Sequence, residues 1–264
     1  MSLSILIIGA TRGLGASLAT AYAKRGDTVY ATARSSSHSS NEAPKGSSNV
    51  HWVHSIDLTH RNVGESLVVG LKGLENAPKA FDVVIITAGF FRTENFKDGP
   101  KWDDQVKMYT TSSIAPTFLV HSLHSGAFLS KGSKVVLVSS ESGSITLRHK
   151  SEGGGNYGHH ASKAALNMVG KLLSLDLADA EVIVSIVHPG FMRTQMTKDV
   201  GYDKAYDEGG AVTSEVAAAS LVEWVAALDM SKTGEYWAPR GPNDIGTAEK
   251  VLGKNLPTPF HLPW

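Results

Sequence analysis

The chain has 264 residues, 42% of them apolar, which is enough for one large core, and its 25 basic residues balance 25 acidic ones. A neutral balance argues against nucleic acid or an anionic membrane as the main partner, because both call for a basic excess. With no cysteine, disulfides, thiolate metal sites and cysteine nucleophiles are excluded, and no metal is expected.

Residues 3–8, apolar but for Ser4, run up to Gly9, the pattern of a strand buried on both faces. The run is too short for a membrane span. No basic stretch precedes it and no small-residue cleavage site follows, so the expectation is a soluble, cytoplasmic protein. From Gly13 to Arg25, Leu14, Leu18, Ala21 and Tyr22 recur at helical spacing, and Gly26 sits at a C-cap position. Residues 28–33 read as a second strand. Residues 35–49 are rich in serine, without periodicity, and read as a mobile loop.

Further strands are predicted over 50–56, 82–87, 134–139 and 181–187, with a short run at 235–238. Helical patterns cover 60–74, 101–129, 157–178 and 214–228. Strand and helix alternate through the whole chain. That order predicts right-handed βαβ crossovers and an α/β, doubly wound parallel sheet of about seven strands with helices on both faces. No composition break marks a second domain, so residues 1–264 are expected to form one.

Gly9, Thr11, Arg12, Gly13, Leu14 and Gly15 lie between the first strand and the first helix. Gly9 lets the chain leave the strand sharply. Gly13 and Gly15 let a pyrophosphate approach the backbone, and the helix N-terminus supplies N–H groups and partial positive charge. The spacing is G-x3-G-x-G, and with it the chain resembles the short-chain dehydrogenase/reductase family, from Ile5 to at least Thr194. The resemblance implies a Rossmann-type fold, a nicotinamide dinucleotide and oxidoreductase activity on a small molecule.

The residue ending strand two sets cofactor choice in such folds. A carboxylate there would bind a ribose 2′-hydroxyl and repel a 2′-phosphate. Here Ala33 takes the place and Arg34 follows, offering a fixed charge and a planar donor fork suited to phosphate, with Arg12 as a second cation. The pair favours NADP. Asp57 and Leu58 resemble the family's adenine-contacting pair, Ala88 and Gly89 its Asn-Asn-Ala-Gly segment with both asparagines replaced (Ile86 and Thr87), and Pro189, Gly190, Met192 and Thr194 its nicotinamide-holding segment.

The family's catalytic group is Asn, Ser, Tyr and Lys. Lys163 matches the lysine, and Ser140 matches the serine. Ser112 stands where the asparagine belongs, and His159 stands four residues before Lys163 where the tyrosine belongs. Tyr157 is six residues from Lys163, about 600° of helix, and faces away unless the helix starts later than its pattern indicates. The long Gly-rich stretch before His159 is similar to insertions in the carbonyl-reductase-like branch. His159 either polarises the substrate as acid or neutral donor, or only fills the tyrosine's space.

Three functions follow from this mixture. The first is an NADPH-dependent reductase of a ketone, aldehyde or imine in an apolar small molecule. The second is an NADP-bound isomerase, dehydratase or cyclase on the same scaffold. The third is a binding protein that senses NADP. Residues 195–210 are expected to form a substrate lid. The apolar, Pro-rich tail over 256–264 is expected to pack on the body or on a neighbouring subunit of a homo-oligomer.

Overall fold

The computed structural model describes residues 2–35 and 48–264; most of the loop expected over 35–49 lies outside the described residues. The chain runs β1 (Ser4–Ile8), α1 (Gly13–Lys24), β2 (Thr28–Thr32), β3 (Val50–Val53), α2 (Val63–Lys72), β4 (Val83–Ile86), α3 (Trp102–Tyr109) and α4 (Ala115–Ser125). It continues through β5 (Lys134–Val138), α5 (Tyr157–Asp176), β6 (Ile183–Val187), β7 (Met192–Arg193), α6 (Gln195–Asp199), β8 (Val212–Thr213), α7 (Ser214–Ala226), β9 (Glu235–Ala238), α8 (Ala248–Leu252) and β10 (Phe260–His261).

Eight strands form the main sheet in the order β10-β9-β6-β5-β4-β1-β2-β3. Seven of them are parallel, and β10 pairs antiparallel with β9 at one edge. The chain reverses its direction of winding at β1, whose neighbours are β2 and β4. A crevice opens outside the carboxyl ends of the strands at such a reversal. The periodicity of two in β1 explains the layering. Leu6 and Ile8 join the core with Leu67, Leu119 and Leu166 from α2, α4 and α5, whereas Ile5 and Ile7 face Leu14, Leu18 and Leu221 from α1 and α7. All of these are buried, each contributing about 1.5–3 kcal/mol of transfer free energy.

Besides the short α6, β7, β8 and α8, the structure departs from the expected elements in two places. The pattern over 101–129 is not one helix. α3 ends at Tyr109, a five-residue π-helical turn spans Thr110–Ile114, and α4 follows with Pro116 in its first turn. The cause is local. Pro116 has no N–H to continue the ladder, and the hydroxyls of Thr110, Thr111 and Ser113 donate to the carbonyls of Val106, Lys107 and Tyr109, four residues back, at 2.7, 2.8 and 2.9 Å. Such back-bonding competes with the helical ladder. The tail adds the eighth strand and packs on the body: Phe260 and Leu262 are buried, and the ring of Trp264 stacks on Tyr236 with centroids 5.6 Å apart. Among the described residues, no helix is long and apolar enough to cross a membrane.

α2 and α4 meet closely at Gly64, where an added Cβ would stand 2.3 Å from Ser122 Oγ and 2.5 Å from the carbonyl oxygen of Phe118. Backbone cannot yield cheaply, so overpacking of about 1–3 kcal/mol outweighs the roughly 1 kcal/mol that alanine gains over glycine in a helix. Gly64→Ala is expected to lower the thermal midpoint followed by circular dichroism; a raised midpoint would contradict this packing.

Candidate functional site

At the reversal point the carboxyl ends of β1, β2, β4, β5 and β6 surround a cavity of about 540 Å³. Most of the residues singled out from the sequence line it. One end holds Gly9, Thr11, Arg12, Gly13, Leu14, Gly15, Arg34, Asp57 and Leu58, and the other holds Ala88, Gly89, Ser112, Ser140, His159, Lys163, Pro189, Gly190, Met192 and Thr194. Tyr157 does not line it. α5 begins at Tyr157 itself, so no later start turns its ring inward, and the side chain is exposed.

The glycine turn is fixed by its neighbours. Gly9 (φ +96°) donates its N–H to Thr32 Oγ1 at 3.0 Å, and Thr87 Oγ1 donates to the carbonyls of Ile8 and Gly9 at 3.0 and 3.1 Å. Thr87 thus does a structural job where the resembled family keeps an amide. A Cβ on Gly9 would stand 2.8 Å from Ala88, and one on Gly15 would stand 2.1 Å from the carbonyl oxygen of Gly9. Only glycine allows so close an approach. No side chain caps α1, and no acidic residue stands in its first turn, so its positive end faces the cavity uncompensated.

Arg12 and Arg34 are exposed at this end and form no ion pair among the described residues. Asp57 Oδ1 accepts from the N–H and hydroxyl of Thr59 at 2.9 and 2.8 Å. Burial works against its charge, but these bonds, with His60 and Arg34, outweigh burial and hold the carboxyl below its ordinary range.

The other end is built on α5 and the turn after β5. Lys163 is buried and donates from Nζ to the carbonyl of Val138 at 2.9 Å; burial lowers its ammonium to a pKa of about 8. His159 lies one turn earlier, its ring 4.1 Å from that of Phe91. Burial first, then the charge of Lys163, then His160 and Arg148, hold the imidazole neutral, well below the usual histidine range. Ser139 Oγ is taken by Asn167 Oδ1 at 2.6 Å. Ser140 Oγ only accepts, from Ser142 N at 3.2 Å, so its proton remains for a ligand. Ser112 is the one hydroxyl of the π turn that makes no back-bond, and its Oγ is buried without a partner.

Several lining residues carried no sequence signal of their own. His188 Nδ1 accepts the N–H of Glu141 at 3.1 Å, and Asp244 Oδ2 accepts the N–H of Phe191 at 2.7 Å. The two face each other at 3.8 Å and tie the serine turn to the Pro189–Gly190 turn. Asp244 lies in an irregular stretch after β9, and only the tertiary fold brings it here. Phe91, Phe191 and Tyr202 form an aromatic wall, Tyr202 meeting the other two edge-on at 5.8 and 6.3 Å.

The model of the short chain dehydrogenase family matches residues 4–205. The chain belongs to that family. Among curated proteins it is 26% identical over 244 residues to the 1-hydroxy-2-glutathionyl-2-methyl-3-butene dehydrogenase of Rhodococcus sp. strain AD45, covering 88% of this chain and 95% of the relative. It is 28% identical over 210 residues to the 3-oxoacyl-acyl-carrier-protein reductase FabG of Vibrio harveyi, covering 75% and 77%. Two solved structures share its fold: the carbonyl reductase Sniffer of D. melanogaster, at TM-score 0.74 and 21% identity with both chains covered completely, and the NADPH-bound carbonyl reductase from chicken fatty liver, at 0.74 and 22% with 90% and 91% covered.

The burial of Lys163 has a consequence for stability. Its pKa falls from 10.5 to about 8 on folding, so below pH 8 the folded state carries a full penalty, which fades as pH rises towards the unfolded value. Lys163→Met is expected to be more stable than wild type at pH 7, by an amount on the order of 3 kcal/mol or less, with the gap narrowing between pH 8 and about 10.5 in chemical denaturation. A gap that stays constant with pH would contradict the desolvation.

Proposed function

We propose that the protein is an NADPH-dependent reductase of a ketone, aldehyde or imine group in an apolar small molecule, acting as one dinucleotide-binding domain over residues 1–264. The observation that carries this reading is one cavity with a glycine turn and two exposed guanidiniums at one end and Ser140, His159 and Lys163 at the other.

The residues present fit NADP. The Gly9 to Gly15 turn is a cradle that a Cβ would fill, with Thr11 and Leu14 alongside it for the diphosphate. Arg34 and Arg12 suit a 2′-phosphate, and no carboxylate follows β2 to repel it. Asp57 and Leu58 would border the adenine, Ala88 and Gly89 the sugar–phosphate path, and Lys163 the nicotinamide ribose. Pro189, Gly190, Met192 and Thr194 would hold the carboxamide. The NADPH carried by the chicken relative supports the choice.

The bound cofactor supplies the hydride that reduces the carbonyl carbon. The chain's own groups act on the oxygen. Ser140 Oγ–H donates one hydrogen bond to it, and the neutral imidazole of His159 donates a second, which stabilises growing negative charge without prior protonation. Lys163 Nζ, whose pKa of about 8 lies near working pH, holds the proton that the oxygen needs. Ser112 Oγ, buried and unpartnered, offers a site for a proton-conducting water. Residues 195–210 would act as the substrate lid; they contribute Tyr202 to the aromatic wall and are tied to the body by Tyr206, which donates to the carbonyl of Thr194 at 3.1 Å, and by the hydrogen bond from Asn156 to Tyr202 at 3.2 Å.

Purified protein is expected to consume NADPH with aryl ketones or aldehydes and to prefer it over NADH. Arg34→Ala is expected to raise the Kd for NADPH about tenfold or more and leave that for NADH unchanged in fluorescence titrations. His159→Phe is expected to lower kcat about a hundredfold with cofactor affinity intact. Equal affinity for the two dinucleotides, or full turnover by His159→Phe, would overturn the reading.

A further inference from the structure

Ser140 stands just past the end of the sheet. The strand ladder stops one residue earlier, where the N–H of Ser139 donates to the carbonyl of Val187 at 2.7 Å. Beyond it the chain makes a tight turn in which Ser140 accepts twice, its carbonyl from the N–H of Gly143 at 2.9 Å and its Oγ from the N–H of Ser142 at 3.2 Å. Both bonds are internal to the turn and cannot fix it against the rest of the site. Among the described residues, the hydrogen bond that reaches the Ser140 peptide from outside the turn comes from Tyr236, 96 residues on, whose hydroxyl donates to the Ser140 carbonyl. Tyr236 lies on β9 level with Ile186 of β6, and both side chains take the face of the sheet on which Ile186 packs against Gly170 of α5. The phenol is buried, and Asn167 from α5 and Ser139 approach the same hydroxyl. Burial, with Glu141 behind it, pushes its ionisation far above the usual phenol range, so the group stays a donor. The tail holds the phenol in place. The N–H of Leu262 donates to the main-chain carbonyl of Tyr236 at 2.8 Å, and the ring of Trp264 stacks on the phenol with an interplanar angle of 20°. The main-chain oxygen of Trp264 then accepts from the segment that follows the turn, from the N–H of Thr146 at 3.0 Å and from Ser144 Oγ at 3.4 Å.

We infer that Tyr236 is a positioning residue: its hydroxyl fixes the Ser140 peptide, and with it the direction in which Ser140 Oγ offers its proton to the substrate oxygen. This rests on the reductase reading of the same site. Tyr236 does not line the cavity, so it acts only through the serine. A hydrogen bond to an oxygen that gains charge in the transition state is sensitive to its angle. An anchor in the rigid layer of the sheet sets that angle before the substrate arrives, whereas a turn held only by its own bonds would rock as one body. Phenylalanine at 236 would keep the packing and remove the anchor.

The test follows reduction of 4-nitrobenzaldehyde by NADPH and compares Tyr236→Phe with its parent, both with Ser140 present and in a Ser140→Ala background. With Ser140 present, Tyr236→Phe is expected to lower kcat about tenfold and to leave KM and the Kd for NADPH within about twofold. Where residue 140 is alanine it is expected to cause no further loss. A phenol that only supports the fold would cost the same in both backgrounds. Amide exchange of the free protein is measured by NMR in parallel. The amides of Ser142 and Gly143 are expected to exchange about tenfold faster in Tyr236→Phe, while those of β5 and β6 stay unchanged. Should Tyr236→Phe fail to fold, Trp264→Ala, which uncovers the phenol ring, is measured in its place with the same expectations. Unchanged kcat, equal losses in both backgrounds, or unchanged exchange in the turn would each overturn the assignment. Absence of NADPH consumption by wild type would refute the reductase reading, and exchange in the turn would still decide whether Tyr236 fixes it.

Discussion

Lys163 sits in the seam between α5 and the end of β5 with one hydrogen bond, to the carbonyl of Val138. A cation so placed has lost most of its hydration and regains little of it from one carbonyl. The seam cannot loosen to admit water, because the turn after β5 presses on the helix: a Cβ at Gly143 would stand 2.8 Å from the carbonyl carbon of Lys163 itself. From this one desolvated charge the character of the site follows. Together with burial, the larger cause, it holds its neighbour His159 neutral, and it keeps a proton near release at ordinary pH. It also places positive charge beneath the point where a substrate oxygen would gain negative charge.

The surrounding backbone is arranged at a cost. Among the described residues, Ser112 Oγ and His159 Nδ1 are buried polar atoms without partners, and both belong to residues lining one cavity. Native interiors contain few such atoms, and each is destabilising. Left unpaired beside the crevice, they are the pattern of a protein that gives up local stability for a ligand. The π turn belongs to the same arrangement. Three hydroxyls turn back onto their own helix and the fourth faces the cavity.

Much of this was legible in the sequence, for identifiable reasons. β1, α1 and the doubly wound parallel sheet follow from apolar runs and helical spacing, because burial imposes those periods directly. The cavity lining follows from glycine positions and strand ends, where sterics and backbone dipoles leave little choice. The π turn was not legible, since hydroxyl back-bonding leaves the apolar pattern of 101–129 intact. Asp244 and β10 were hidden because tertiary contacts alone place them, in stretches without periodicity.

The state of the His159 ring tests the account most directly. Nitrogen-15 spectra of histidine-labelled protein, assigned by difference against His159→Gln, report both charge and tautomer. At pH 6.5 the account predicts a neutral ring with its proton on Nε2. An imidazolium at that pH, or a proton on Nδ1, would contradict it.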